Sequence, residues 1–382
     1  MGAPSINISF IEKAITAITR GERGIVMLLV KDTLEAPVGN PVTVILESDI
    51  PSGLSDATVE QIKLAMIGYV NAPKKVLVYC MGIESETDVE EGYKKALDAL
   101  ETIKFDYMAI PTVQTDGKTQ DIATWVKSMR QNRKKKIKAV LPSVKADNEG
   151  VINFTTDKSV KTESVTNEDG TIVTVDTIYT AEQYCSRIAG LVAGTPMNIS
   201  CTYAPLWELS DCTRLNDIDT PVDDGEFIIF YDGEKVKVVR GVNSFVTTID
   251  GKGDSFKKIK IVEAMDMIND DIVKTAQDSY LGKYANTYAN KCLLISAISA
   301  YFAQLKKDDI VSSYSVGLDA EAIRIYLKSK GLQATLDDDT VKDVDECSDE
   351  EIATADTGAS VFLTGNVKIL DAIEDITMPI YI

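Results

Sequence analysis

Histidine is absent from all 382 residues. That single gap removes Ser-His-Asp and Cys-His nucleophiles, His-ligated metals and any histidine general base. Positive charge is also scarce. Forty Lys and Arg stand against 59 Asp and Glu, a net charge of −19, which disfavours nucleic acid or an anionic membrane as the main partner. The six cysteines, Cys80, Cys185, Cys201, Cys212, Cys292 and Cys347, show no C-x-x-C spacing. They read as small buried hydrophobes of a reducing compartment. No long hydrophobic run exists. The longest stretch, Cys292 to Leu305, is too short for the roughly 20 apolar residues that cross a bilayer, so it reads as a buried helix. The first residues lack a basic region followed by an apolar core, so no signal peptide is expected. A soluble chain made in the cytoplasm, with no membrane insertion, follows.

Phosphate-cradling loops are missing too: neither G-x-G-x-x-G nor G-x-x-x-x-G-K-[ST] occurs, and there is no G-x-S-x-G elbow. The acidic stretch 337–351 does not make an EF-hand, because Lys342 and Ser348 stand where the two possible registers need glycine. It reads as a solvated acidic loop. Carboxylate pairs such as Asp223-Asp224 and Asp270-Asp271 are neighbours in sequence, so on a helix they face different ways. A carboxylate-dependent α/β hydrolase stays as a rival reading on composition alone. No catalytic, cofactor-binding or metal-ligating residue is expected.

What is present is an alternation of apolar runs and amphipathic stretches. Ile25–Val30, Val42–Leu46, Lys75–Cys80, Tyr107–Pro111 and Ile137–Leu141 read as strands buried on both faces. Between them, Ala57–Val70, Asp88–Ile103 and Thr119–Arg130 read as helices, with Ser55 or Asp56 as the first N-cap. This spacing predicts an α/β domain with a largely parallel sheet. Asp169-Gly170 and Asp232-Gly233 each mark a hairpin turn, and Ala181–Ala193 a helix stopped at Gly194. Further on, Lys257–Asp278, Asn286–Lys307 and Asp319–Lys330 carry helical periodicity, so the chain is α+β overall.

Both ends are β-like. Ile6, Ile8 and Phe10 alternate with polar residues near the start, and Ile376, Met378, Ile380 and Ile382 alternate near the finish, with strand-like Val361–Leu370 before them. Neither end has a hairpin partner nearby. Each either tucks into its own domain or completes the sheet of another copy. Two opposite charge clusters also stand out. Arg130, Arg133, Lys134, Lys135 and Lys136, with Lys138 behind them, form the one dense basic run; Asp337, Asp338, Asp339, Asp349 and Glu350 form an acidic one. They are solvated surface, or they meet across head-to-tail copies.

From Gly190 onward the motifs become specific. Gly190-Leu-Val-Ala-Gly194, Pro205-Leu206, Asp224-Gly225, Arg240-Gly-Val-Asn-Ser244, Phe256-Lys-Lys-Ile259, Asp266 with Asp270-Asp271, and Tyr280-Leu-Gly-Lys283 with Asn286 follow in order. This resembles the sheath subunits of contractile phage tails, R-type bacteriocins and prophage-like particles. The resemblance implies an outer α/β part, subtilisin-like but without a triad, over 21–250. It implies an inner α+β domain over 251–370, an N-terminal arm over 1–20 and a C-terminal arm over 371–382. It implies a structural subunit and not an enzyme, stacked as hexameric rings around an inner tube and joined to baseplate and tail-terminator proteins. Arms would exchange between subunits. Such a subunit is assembled in the cytoplasm of the producing bacterium and ends in a phage tail or bacteriocin particle. Another self-assembling tail component is the remaining alternative.

Overall fold

The computed structural model describes residues 17–34, 39–166 and 171–382. The chain divides into two compact units: residues 22–266 with 371–382, and 267–370 with the described part of the N-terminal segment, 17–21. The expected strand Ile6–Phe10 and the turn at Asp169-Gly170 lie outside the described residues.

The first unit is built on β1 (Ile25–Val30), β2 (Val42–Val44), α1 (Asp56–Met66), β3 (Lys75–Cys80), α2 (Val89–Leu100), β4 (Tyr107–Ala109), α3 (Thr119–Gln131), β5 (Lys138–Pro142) and β6 (Val151–Phe154). There follow β7 (Ser159–Thr166), β8 (Ile172–Tyr179), α4 (Ala181–Ala193), β9 (Asp211–Cys212), α5 (Asp219–Asp223), β10 (Glu226–Phe227), β11 (Ile229–Tyr231) and β12 (Val236–Val238). Seven strands form one sheet in the order β10-β6-β5-β4-β1-β3-β2. All its pairs are parallel except β2 with β3.

Every residue of β1 is buried, and the alternation of its side chains shows why. Val26, Leu28 and Val30 belong to a core with Ile62 and Ala65 of α1 and Ile188 and Leu191 of α4. Ile25, Met27 and Leu29 belong to a second core with Tyr93 and Ala96 of α2 and Ile122 and Val126 of α3. The sheet is therefore the middle of three layers, which is why its strands read as unbroken apolar runs. Ser55 caps α1 by accepting the Thr58 N–H. Thr180 and Gln183 form a capping box on α4.

The glycine pair flanking Leu-Val-Ala has a packing cause. A Cβ on Gly190 would lie 2.0 Å from the Ala65 carbonyl oxygen of α1, and one on Gly194 would lie 2.0 Å from the Asn71 carbonyl oxygen. Gly194 has an ordinary negative φ of −88°, so close approach, not a left-handed stop, selects it. Gly190→Ala is expected to cost about 3 kcal/mol, the upper end of overpacking penalties. That would lower the melting temperature by roughly 6–12 °C; a change under 2 °C would show that α1 and α4 shift apart freely.

The hairpin at Asp232-Gly233 is short. Only β11 and β12 pair around Asp232-Gly233, while Glu226–Phe227 joins the end of the parallel sheet. The expected strand Val42–Leu46 stops at Val44, and Ile45 and Leu46 are exposed.

The helix α6 (Ile259–Thr275) carries the chain from one unit into the next, the division falling between Asp266 and Met267. The second unit adds α7 (Tyr288–Lys307), β13 (Val311–Leu318), α8 (Ala320–Lys330), β14 (Ala334–Thr335), β15 (Val341–Lys342), α9 (Asp349–Thr354) and β16 (Leu363–Ile369). Gly331, in the left-handed region at φ 64°, ends α8. Tyr301 of α7 donates to Asp271 at 2.7 Å, and the Gly21 N–H donates to the same carboxylate at 2.8 Å. The acidic stretch is folded, contrary to the loop expected. Its residues form the turn and second strand of the β14–β15 hairpin and the first turn of α9, with Val344 and Cys347 buried beneath exposed acids beside Leu336 and Ile352 of the same core. Three acids in the first turn of α9 suit the positive end of the helix dipole.

All six cysteines are free, and all but the half-buried Cys292 are buried. Burial pushes the thiols of Cys80 and Cys212 up to about 11 and that of Cys201 up to about 12. No helix among the described residues is long and apolar enough to cross a membrane.

Candidate assembly interface

Two places in the molecule present backbone or side chains in need of a partner. The first is the ribbon of β13 and β16. These strands pair antiparallel from Val311↔Ile369 to Leu318↔Leu363, with a bulge between Val311 and Ser313. Residues opposite one another share a face. One face therefore carries Tyr314, Val316, Leu318, Leu363 and Val367, and the other Ser313, Ser315, Thr364, Asn366 and Lys368. Tyr314 stacks on Phe302 of α7 at 5.6 Å between ring centroids, which fixes the apolar face toward that helix. Among the described residues no third strand joins the ribbon. Among the described residues both outer edges thus offer N–H and C=O groups that no further strand takes up, and a two-stranded ribbon is marginal by itself.

The second place is the root of the C-terminal segment. After Leu370, whose N–H donates to the Ile310 carbonyl, the chain enters a basic seat in the first unit. Arg240-Gly-Val-Asn243 lies against Phe256-Lys-Lys258 there: Val242 and Lys258 form an antiparallel bridge, and the Asn243 side-chain amide donates to the Phe256 carbonyl at 2.8 Å. Two of the motifs that carry the family resemblance are thus halves of one structure. Gly241 is required by the fit, since a Cβ would stand 2.8 Å from the Cys201 sulfur and 3.1 Å from the Ser200 hydroxyl.

Onto this seat come three acids. Lys258 pairs with Asp371 and lies 3.5 Å from Glu374, and Arg240 pairs with Asp375 at 2.6 Å. Glu374 accepts from the hydroxyls of Thr202 at 2.5 Å and Ser200 at 3.1 Å, with the Arg240 guanidinium 3.8 Å away. The Thr202 hydroxyl in turn accepts from the Gly241 N–H. Burial alone would lower the pKa of Lys258, but the hydrogen bond to Asp371 and the Glu374 charge hold it above the ordinary lysine value. The Glu374 side chain is 6% exposed. Two residues later Ile376 is 85% exposed, and Met378, Ile380, Tyr381 and Ile382 are equally open. Residues 376–382 form no strand within the subunit, although their sequence is strand-like.

The basic run is split by the fold. Arg130, expected at the surface, is buried on α3, forking onto both oxygens of Asp266 at 2.9 and 3.0 Å. Lys138 is likewise buried in β5, 2.5 Å from Glu263 and 2.9 Å from Asp266. Arg133 pairs with Glu101, the Lys135 ammonium reaches the Glu101 carbonyl, and Lys134 is exposed beside half-buried Lys136. Asp337, Asp338, Asp339, Asp349 and Glu350 are all exposed, with Asp349 paired to Arg324.

Around Glu263 the buried charges continue. Tyr107 donates to it at 2.6 Å, and Arg23 lies 3.0 Å away. Burial would raise the Glu263 pKa, yet Lys138 and Arg23 hold the carboxyl well below the usual range. Asp266 is also lowered: burial opposes its ionisation, while Lys138 and Arg130 outweigh that cost. Asp106 is raised, burial prevailing over Arg23. The cavity beside this cluster, lined by Tyr107, Cys201, Ile259 and Glu263, measures about 20 Å³, room for about one water.

Comparison with known proteins agrees with the motifs. Residues 89–244 match the family model of the phage tail sheath protein central domain, and residues 251–331 that of the phage tail sheath C-terminal domain. The tail sheath protein of Clostridium phage phiCD119 is 35% identical over 99% of this chain and 98% of its own length. The phage-like element PBSX protein XkdK of Bacillus subtilis is 32% identical over 50% of this chain and 40% of its own. Among solved structures, the crystal structure of the sheath tail protein of Desulfitobacterium hafniense aligns with a TM-score of 0.65 at 19% identity, covering 96% of this chain and 100% of that one. The contracted helical sheath of the anti-feeding prophage aligns with a TM-score of 0.66 at 12% identity, over 100% and 99% of the two chains.

Proposed function

This chain belongs to the phage tail sheath family, and from that premise we propose that it is the repeating, non-enzymatic subunit of a contractile sheath built by exchange of chain ends. One observation carries the reading. Ile376, Met378, Ile380 and Ile382 are exposed and form no strand, in a chain that also keeps an amphipathic two-stranded ribbon which, among the described residues, no third strand joins.

A neighbour's arm fits that ribbon chemically. In an extended arm, Ile376, Met378, Ile380 and Ile382 share one face, which continues the apolar face of Tyr314, Val316 and Val367. The backbone groups of these four residues also share one edge, and Pro379, without an N–H, falls on the other. The arm therefore pairs through the isoleucine edge and turns its proline edge outward, which stops further strands from adding. Ile6, Ile8 and Phe10 offer the same alternation at the other end of the chain.

Subunits joined this way form hexameric rings around an inner tube, bounded by baseplate and terminator proteins. The α/β unit serves as the outer, subtilisin-like part, without a triad. Assembly takes place in the producing cell, before the particle leaves as a phage tail or bacteriocin. Contraction is a rigid-body rearrangement between two discrete packings. Exposed acids at Asp337, Asp338, Asp339, Asp349 and Glu350 meeting Arg133, Lys134, Lys135 and Lys136 of another copy add to the contracted packing. An exposed pair gives only about 0.2–1 kcal/mol, but hundreds of repeats give an irreversible sum. Electron microscopy of the purified protein tests this: tubes or stacked rings are expected, and persistent monomers at every concentration and salt would overturn it.

A further inference from the structure

The seat beneath Glu374 has a role that the exchange of arms alone does not require. We propose that the acids Asp371, Glu374 and Asp375, held by Arg240, Lys258, Ser200 and Thr202, anchor the arm to its own subunit, so that the segment handed to the neighbour starts from a fixed point and direction. The inference rests on the exchange reading above and specifies how the donor end is held.

A donated strand is useful only if it joins two bodies. If the root were free, a bound arm would be a slack tether, and the entropy of its loose residues would oppose a single lattice spacing. The structure instead holds the root by its carboxylates: Asp371, Glu374 and Asp375 are ion-paired, with the Glu374 side chain 6% exposed, while the apolar Ile373 and Ile376 beside them are 88% and 85% exposed.

The seat is built for carboxylates and for little else. Two cations face three acids, and two hydroxyls donate to the buried carboxylate. Charge-assisted bonds of this kind are among the stronger ones available. The seat also has firm footing. Lys258 directly precedes α6, the Ile259 N–H donates to the Gly241 carbonyl, and four residues further on α6 is fastened by Glu263 to Lys138 and Tyr107 of the central sheet. A pull on residue 376 thus passes through Glu374, Arg240 and Lys258 to the start of α6 and on to β4 and β5. Arg240, Gly241 and Lys258 are residues of the family motifs, and the anchor gives them a physical purpose.

The test uses the full chain with Asp371→Asn, Glu374→Gln and Asp375→Asn together. The fold is expected to survive, read by an unchanged far-ultraviolet circular dichroism spectrum. The root, residues 371–375, should be cut faster by protease in limited proteolysis. The subunit concentration needed for tubes should rise at least roughly ten-fold, the factor that corresponds to about 1.4 kcal/mol. Should the triple variant fail to fold, Asp375→Asn alone removes the exposed partner of Arg240, and roughly a three-fold rise is expected, matching about 0.65 kcal/mol. Unchanged assembly in the folded variants, while loss of 376–382 abolishes it, would overturn the anchor and leave the exchange reading standing. Normal assembly without 376–382 would overturn the exchange reading and the anchor with it.

Discussion

A chain ending at Asp375 is expected to be a folded monomer that forms no tubes at concentrations where the full chain does. The residues removed, 376–382, form no strand within the subunit, and five of the seven are large apolar or aromatic residues that are each at least 73% exposed. Their loss should therefore leave the melting temperature within about 2 °C, as for surface changes generally. Assembly is another matter. A strand that adds to a sheet supplies about four ladder hydrogen bonds of about 1 kcal/mol each, before counting apolar burial. Losing that much per subunit raises the critical concentration by roughly a thousand-fold. Sedimentation and negative-stain microscopy at matched concentrations check it. Tubes of ordinary appearance would mean that the C-terminal segment is not the link, and an unfolded product would mean that it is part of the subunit's own core.

The second large effect concerns the charges inside the first unit. Lys138 is 2% exposed and lies between Glu263 and Asp266. Lys138→Met keeps the length of the side chain and removes the charge, leaving two buried carboxylates with one fewer cation. Breaking a buried pair from one side costs about 3–5 kcal/mol, which lowers the melting temperature by roughly 10 °C in a chain of this size. A drop of 2 °C or less would mean that water reaches the cluster. Acid should act in the same direction. Glu263 and Asp266 are held below the ordinary carboxylate range in the folded state, so their stabilisation is complete above the unfolded value near pH 4 and is lost as pH falls through the folded values. Asp106, raised by burial, works in the opposite sense. Denaturant midpoints between pH 7 and pH 3 should fall with acid, and the fall should shrink in Lys138→Met.

Much of the architecture was readable because the first unit follows simple periodicities. The runs at Ile25–Val30 and Lys75–Cys80 are strands with the expected boundaries, and Ala181–Ala193 is a helix over the expected span. What was hidden depends on distance in sequence. Strand β13 reads Val-Ser-Ser-Tyr-Ser-Val-Gly-Leu, with small polar residues and a bulge that blur its alternation, so only its partner β16 gave a signal. Arg130 and Lys138 looked like members of one basic surface because the acids that bury them, Asp266 and Glu263, come more than 120 residues later. Helical phase placed Arg130 on the same side of α3 as Val126 and Ile122, and that was the available clue. The seat was harder still. Asp371, Glu374 and Asp375 are ordinary acids in sequence, and only folding brings them to Arg240, 135 residues before Asp375.

The concealment of the thiols has a consequence for durability. A thiol is oxidised through its thiolate, and only where oxidant can reach it. Cys80, Cys201 and Cys212 have pKa values of about 11 to 12, so at neutral pH almost none of each is the reactive thiolate. Ageing in air should therefore leave these three neither cross-linked nor overoxidised. Peptide mass spectra of protein long kept in air should show those three sulfurs unaltered.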